Sequence, residues 1–318
     1  MKLIIQPDDG VTPLLKAVRR AKKSIDIVVF RFDRPEIEKA LQAAVARGVV
    51  IRALIAHTNR GGEKNLRKLE LRLLQGGITV ARTADDLPRY HGKLMLVDDT
   101  LHVFGFNYTK LDIEKSRSFG IVTRDRKLVR EACALFEADR TRQPYSPIHN
   151  RLVVSPETSR ELLTAFVRGT KKQLLIYDDK VSDNLVQRVL QDRIRAGVEI
   201  RVIGKIEKTL TGVEARKLPD LRLHVRAMVR DGTSAFIGSQ SLRKLELDGR
   251  REVGVIINDT RVAKKIQAVF ETDWAHAAPP KAAPEKDKDK EKDKDKEKAK
   301  EKVKAKSDVP TVAVAGAG

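Results

Sequence analysis

The 318-residue chain has a single cysteine, Cys133, so no internal disulfide can form and a reducing compartment is expected. Aromatic residues make up only 4% of the chain, which argues against a platform that stacks successive bases of a single strand. No apolar run approaches the roughly 18 residues of a membrane span. The N-terminal apolar stretch, Leu3-Ile-Ile5, is too short for a secretory signal. A soluble, cytoplasmic protein is therefore expected, peripheral to a membrane at most. Metal-ligand patterns are also missing: there is no H-E-x-x-H and no cysteine pair, and neither a metal nor a cofactor is expected. Acidic residues are in deficit, 44 against 64 Lys and Arg, a formal charge of +20. The segment from Lys281 onward holds 12 lysines against 9 acidic residues, a net of +3, which leaves +17 for the rest. Such an excess favours anionic partners, either nucleic acid or an acidic membrane surface, without choosing between them.

What the sequence does contain is a repeated pattern. His91-Gly-Lys93 is followed by the apolar Leu94-Met-Leu-Val97 and then Asp98; His224-Val-Arg226 is followed by Ala227-Met-Val-Arg230 and then Asp231. The two histidines lie 133 residues apart. The apolar run reads as a buried strand. Extended back through the histidine, it would set His91 and Lys93 on one face, because side chains two apart on a strand point the same way.

The segments around the two copies also repeat. In the first half, helical spacing is expected over residues 11–23, 34–47, 65–75 and 127–140, and strands over 24–30, 49–55, 78–81, 101–104 and 119–123. The second half follows the same order, with helices over 159–171, 185–196 and 260–274 and strands over 173–177, 198–203, 234–237 and 252–257. Gly48 and Gly197 each head a Val-x-Ile-Arg strand, 149 residues apart. The second half is therefore 16 residues shorter between glycine and histidine, about the size of the 65–75 helix with its flanks. These patterns predict an α/β protein of two similar α/β/α lobes with mixed β-sheets, related by a pseudo-two-fold. The expected divisions are 1–148, 149–277 and a tail over 278–318, and the internal pseudo-dimer predicts a monomer. The tail, a Lys/Asp/Glu repeat after Pro279, Pro280 and Pro284, cannot bury a core and is expected to be disordered.

A histidine beside a fixed cation suits chemistry on a phosphate. The cation holds the anion, and the imidazole acts as nucleophile or proton carrier because its pKa lies near operating pH. With two histidines in one cleft, one can attack phosphorus while the other protonates the leaving alcohol.

The doubled motif resembles the H-x-K-x4-D signature of the phospholipase D superfamily, over about residues 5–275. The resemblance implies a phosphodiesterase or phosphatidyltransferase acting on phospholipid through a phosphohistidine, or alternatively a nucleic-acid phosphodiesterase or a catalytically decayed binding member. It assigns His91 as nucleophile and His224 as acid, where the residues alone would also support the reverse, and it assigns Lys93 and Arg226 to phosphate; Asp98 and Asp231, each closing its motif, are read as holding strand and loop geometry. Gly238-Ser-Gln-Ser241 followed by Arg250-Arg-Glu252 is similar to the family's later motif, with Ser241 where asparagine is usual. Asn107 is the first-half counterpart, and both residues are expected near the phosphate. Glu252 is then the carboxylate expected to orient His224. At the matching first-half place, near Ser118 or Phe119, no carboxylate stands, and Asp112 and Glu114 are the acidic residues nearby. His57 is a minor candidate for the cleft, His102 is read as packing or surface, His149 and His276 as solvated, and Asp178-Asp179 as a helix-capping turn, with reach into the cleft as the second reading.

Overall fold

The computed structural model describes residues 1–58, 63–207 and 210–279. The expected disorder of the tail from residue 280 lies outside the described residues. In the first half the elements run β1 (Lys2–Gln6), α1 (Thr12–Arg20), β2 (Ser24–Val29), α2 (Pro35–Ala46), β3 (Val50–Ile55), α3 (Glu63–Gln75), β4 (Thr79–Arg82), β5 (Leu94–Val97), β6 (Thr100–Phe104), α4 (Lys110–Glu114), β7 (Ser116–Thr123) and α5 (Arg126–Thr141). The second half follows with β8 (Leu152–Val154), α6 (Ser159–Arg168), β9 (Gln173–Val181), α7 (Asn184–Arg195), β10 (Glu199–Ile206), β11 (Val213–Arg216), β12 (Arg222–Leu223), β13 (Ala227–Arg230), β14 (Ser234–Gly238), α8 (Lys244–Asp248), β15 (Val253–Ile257) and α9 (Thr260–His276).

Two mixed sheets result, with the same strand order. One runs β4-β3-β2-β5-β6-β7-β1 and the other β11-β10-β9-β13-β14-β15-β8. In each, the first three strands are parallel and the rest antiparallel. The duplication legible in the sequence is thus present strand for strand. Where the second half is shorter, β10 passes to β11 without a counterpart of α3 among the described residues.

Alternation along the strands explains the layers. On β5, Leu94 and Leu96 face a central cluster while Met95 and Val97 face an outer one. The outer cluster of the first sheet is closed by α1, α2 and α3, and that of the second by α6 and α7. The central cluster contains α5 and α9 and draws on both sheets, through Leu101, Val103 and Ile121 of one and Val229, Ile237 and Val255 of the other. Each fully buried Leu, Ile or Phe contributes about 1.5–3 kcal/mol, so a shared layer couples the halves firmly. Asp125, Asp183 and Asp259 cap α5, α7 and α9, each accepting from backbone N–H groups of the first turn.

Two expectations need correction. His91 and Lys93 lie ahead of β5, and His224 and Arg226 ahead of β13, rather than on the strands. Asp178 and Asp179 belong to β9, which continues past its apolar part, and the cap of α7 is Asp183.

Candidate active site

Both histidine segments bridge the two halves. Tyr90 pairs in parallel with Arg251; the His91 N–H donates to the Arg251 carbonyl at 2.7 Å, and the Arg251 N–H to the Arg89 carbonyl at 2.9 Å. The second copy mirrors this. β12 pairs in parallel with β7, matching Leu223 to Arg117, and the Arg222 N–H donates to the Lys115 carbonyl at 3.1 Å. Each histidine is therefore presented from one half along a strand end of the other, which brings two residues 133 apart in sequence into one neighbourhood. Lys93 is close enough to act electrostatically on His224, and Arg226 on His91.

His91 Nδ1 lies 2.8 Å from Glu252 Oε2 and 3.1 Å from Oε1. Glu252 is fully buried. Burial pushes its carboxyl pKa up, opposed chiefly by Lys93. With Nδ1–H donated to Glu252, His91 Nε2 carries the free lone pair. Lys93 Nζ sits 2.8 Å from that nitrogen and 3.0 Å from Nδ1, and it donates to the His91 carbonyl at 2.8 Å. Lys93 is itself wholly buried, and burial brings its pKa down to about 7, although Glu252 and Asp112 oppose the shift. Burial, then Lys93, Arg89, Arg226 and Arg250, hold His91 well below its ordinary pKa. Phe30 packs edge-on to the His91 ring, centroids 4.5 Å apart, and limits its rotation.

His224 Nδ1 lies 3.3 Å from Asp112 Oδ2, within ion-pair range but off the line of a hydrogen bond. Burial lowers the His224 pKa, and Asp112 opposes that. Asp112 is held on all sides: Oδ2 accepts from the Asn107 backbone N–H at 2.9 Å and side-chain Nδ2 at 2.6 Å, and Oδ1 accepts from Arg222 at 2.5 Å. α4 aims it, with Thr109 capping the helix by accepting from the Asp112 N–H. The expected pairing of Glu252 with His224 is thus not what the structure shows. The carboxylates cross over, Glu252 to His91 and Asp112 to His224, while Glu114 is ion-paired with Arg34. The cause is the bridge ahead of β5 and β15: Arg251 lies beside Tyr90, so the next residue of each segment, Glu252 and His91, come together.

Arg226 donates to the Val225 carbonyl at 2.8 Å and approaches Asp178 and Asp179 only to 3.8 and 3.6 Å. Asp178 is occupied by Ser241 Oγ, by the Leu242 N–H at 2.6 Å and by the Lys180 N–H at 3.1 Å. Ser241 thus faces Asp178, whereas Asn107 faces Asp112. Asp98 and Asp231 stand apart from both histidines. Each has left-handed backbone, φ 52° and 53°, which Asp tolerates better than most residues. Each accepts three backbone N–H groups at the start of a parallel strand, from Lys22, Lys23 and Ser24 or from Lys171, Lys172 and Gln173. Of the other histidines, His102 is buried, with its pKa brought down to about 4 by burial; His57 and His276 are exposed and His149 is half-buried. Sequence reasoning missed Arg222 as a partner of Asp112, and nothing in the local pattern marked it. Among the described residues no group of three His, Cys, Asp or Glu is arranged to hold a metal ion.

The family described as "Cardiolipin synthase, PLD-like domain" matches twice, over residues 14–140 and 146–274. The mitochondrial cardiolipin hydrolase of Homo sapiens is 29% identical over 133 residues, 41% of this chain and 50% of that protein. The chain spans about half the length of the curated relatives it matches. Among solved structures, phosphatidylserine synthase of Haemophilus influenzae is similar with a TM-score of 0.67 and 12% identity, covering 87% of this chain and 86% of that one. Polyphosphate kinase of Porphyromonas gingivalis gives 0.71 and 21%, covering 86% and 47%. At these identities the structural likenesses establish the fold alone.

Proposed function

This chain belongs to the phospholipase D superfamily, and on that premise we propose that it is a phosphodiesterase or phosphatidyltransferase acting on phospholipid through a phosphohistidine on His91. The observation that carries the reading is His91 held through Nδ1 by buried Glu252, with the buried Lys93 Nζ within 3.0 Å of the ring nitrogens. In the proposed reaction the His91 Nε2 lone pair attacks phosphorus and the bond to the leaving oxygen breaks. His224 gives that oxygen a proton. Water or an alcohol then attacks the phosphohistidine, loses its proton to His224 and releases His91. Lys93 and Arg226 hold the non-bridging oxygens, where charge builds up. Arg226 suits this task because arginine can bind phosphate through two donors, while the ion pairs with Asp178 and Asp179, at 3.8 and 3.6 Å, hold the side chain in place.

Lipid is the substrate class of this proposal, supported by the description of the matching family and by the matched cardiolipin hydrolase. Net charge favours a second reading, a nucleic-acid phosphodiester. The +20 of the chain and the closeness of Arg89, Arg226 and Arg250 to His91 would suit a polyanion. Among the described residues, no helix is long and apolar enough to cross a membrane, so a lipid substrate would be met at a surface. The test is turnover in EDTA of a chromogenic phosphodiester, anionic phospholipid vesicles and duplex DNA by the full chain, His91→Ala and His224→Ala. Lipid turnover abolished by both substitutions is the expected result. Turnover of DNA alone would favour the second reading, and activity that survives both substitutions would overturn either one.

A further inference from the structure

The internal symmetry singles out one position as vacated. The pairing of Tyr90 with Arg251 puts Glu252 beside His91. The matching pairing of Leu223 with Arg117 puts residue 118 next in line beside His224. Residue 118 is a serine, fully buried, and its Oγ has no hydrogen-bond partner among the described residues. The carboxylate near His224 comes instead from Asp112, six residues earlier on α4. The second-half counterpart of Asp112 is Glu246, 134 residues on, as Glu252 is of Ser118. Glu246 does not serve a histidine; it is ion-paired with Arg243 and Arg250.

We propose that Asp112 is a positioning residue for His224, performing from α4 the task that Glu252 performs for His91 from the strand, and that this relocation makes His224 the proton donor of the pair. The inference rests on the two-histidine reading above. The two carboxylates differ in what else they hold. Both oxygens of Glu252 lie within 3.1 Å of His91 Nδ1, and its other partners are the Ser239 hydroxyl and the charge of Lys93. Asp112 already accepts from Arg222 and twice from Asn107. Those partners fix where Asp112 stands, and its charge is the leading one that favours imidazolium on His224, so it orients the ring and keeps a proton within reach. That suits an acid, which must give its proton away. The firm Glu252 pairing suits a nucleophile, which must keep Nδ1–H while Nε2 attacks.

The test uses the full chain as wild type, Asp112→Asn, Ser118→Glu and the Ser118→Glu/Asp112→Asn double variant, with two phosphodiesters. One releases p-nitrophenolate, which leaves without a proton; the other releases an unactivated alkyl alcohol. Asp112→Asn is expected to keep the first-turnover burst of p-nitrophenolate within about threefold and to slow release of the alkyl alcohol about 100-fold, the scale of general acid catalysis. The double variant is expected to recover about tenfold of that loss, because a carboxylate returns beside His224 from the strand. Equal losses on both substrates with no recovery would reduce Asp112 to a structural role and overturn the proposal. Should Asp112→Asn fail to fold, Asp112→Glu keeps the charge but displaces it, and the same split between substrates is expected.

A second readout does not depend on turnover. Besides burial, the charged groups that act most on His224 are Asp112, Lys93, Arg226 and Arg222, and of these Asp112 alone favours imidazolium. The His224 ring, followed by NMR, is therefore expected to titrate at lower pH in Asp112→Asn and to return towards wild type in the double variant. Wild type that turns over no phosphodiester would defeat the functional reading while leaving this titration to decide on Asp112. An unshifted His224 would overturn the proposal in either case.

Discussion

His91 and His224 reach the site by the same route, ahead of β5 and β13 and across to the opposite half, yet their surroundings differ. His91 has a buried glutamate on Nδ1 and a buried lysine within 3.0 Å of both ring nitrogens. His224 has an aspartate that is shared with an arginine and an asparagine, and its motif cation is an arginine rather than a lysine. Duplication preserved what builds the fold: strand order, the bridging segments and the two aspartates at the strand starts. It did not preserve what tunes protons.

The largest effect that separates the halves is expected at Glu252. Glu252→Gln keeps the shape but gives up the charge that holds Nδ1–H, and turnover is expected to fall about 1,000-fold on activated and unactivated diesters alike, since it acts on the nucleophile. Steady-state rates with both substrates check this. A loss smaller than that of Asp112→Asn would reverse the assignment of roles.

Where the halves agree, substitutions should too. Asp98→Ala and Asp231→Ala each remove three backbone hydrogen bonds to a carboxylate, and each is expected to cost about 2 kcal/mol of stability with little change in rate. Burial opposes ionisation of both groups, but the backbone donors prevail and hold the carboxyls below their usual range. A depressed folded pKa means the contribution is present above the unfolded pKa of about 3.9 and is lost as pH falls through the folded value. The gap between wild type and each variant, followed by denaturant unfolding, should therefore close in acid below about pH 4. A large effect at one aspartate and none at the other would show that the halves are not equivalent even in their frame.

Much of this was legible in the residues. Apolar periodicity marked the long helices and strands, and the doubled H-x-K/R-x4-D spacing marked the histidines and cations. The histidines were placed on strands because the Leu94–Val97 alternation extends back to them in sequence, whereas the backbone leaves the sheet there to bridge to Arg251. α4 and α8 have five residues each, too short to show a helical period. Asp178 was read as a turn because two acidic residues end an apolar run, but β9 continues through it with Ser241 and backbone donors satisfying the carboxylate. The crossing of carboxylates was out of reach of local pattern: it depends on pairings between residues 161 and 106 apart, 90 with 251 and 117 with 223.

The central claim is tested most directly by finding where the phosphorus goes. His224→Ala, incubated with a phosphodiester that releases p-nitrophenolate and then quenched in alkali, should hold a phosphorylated intermediate that mass spectrometry locates on His91. Neither His91→Ala nor the double alanine variant should hold one. An adduct on His224, or turnover by wild type with no adduct trapped on either histidine, would contradict the account.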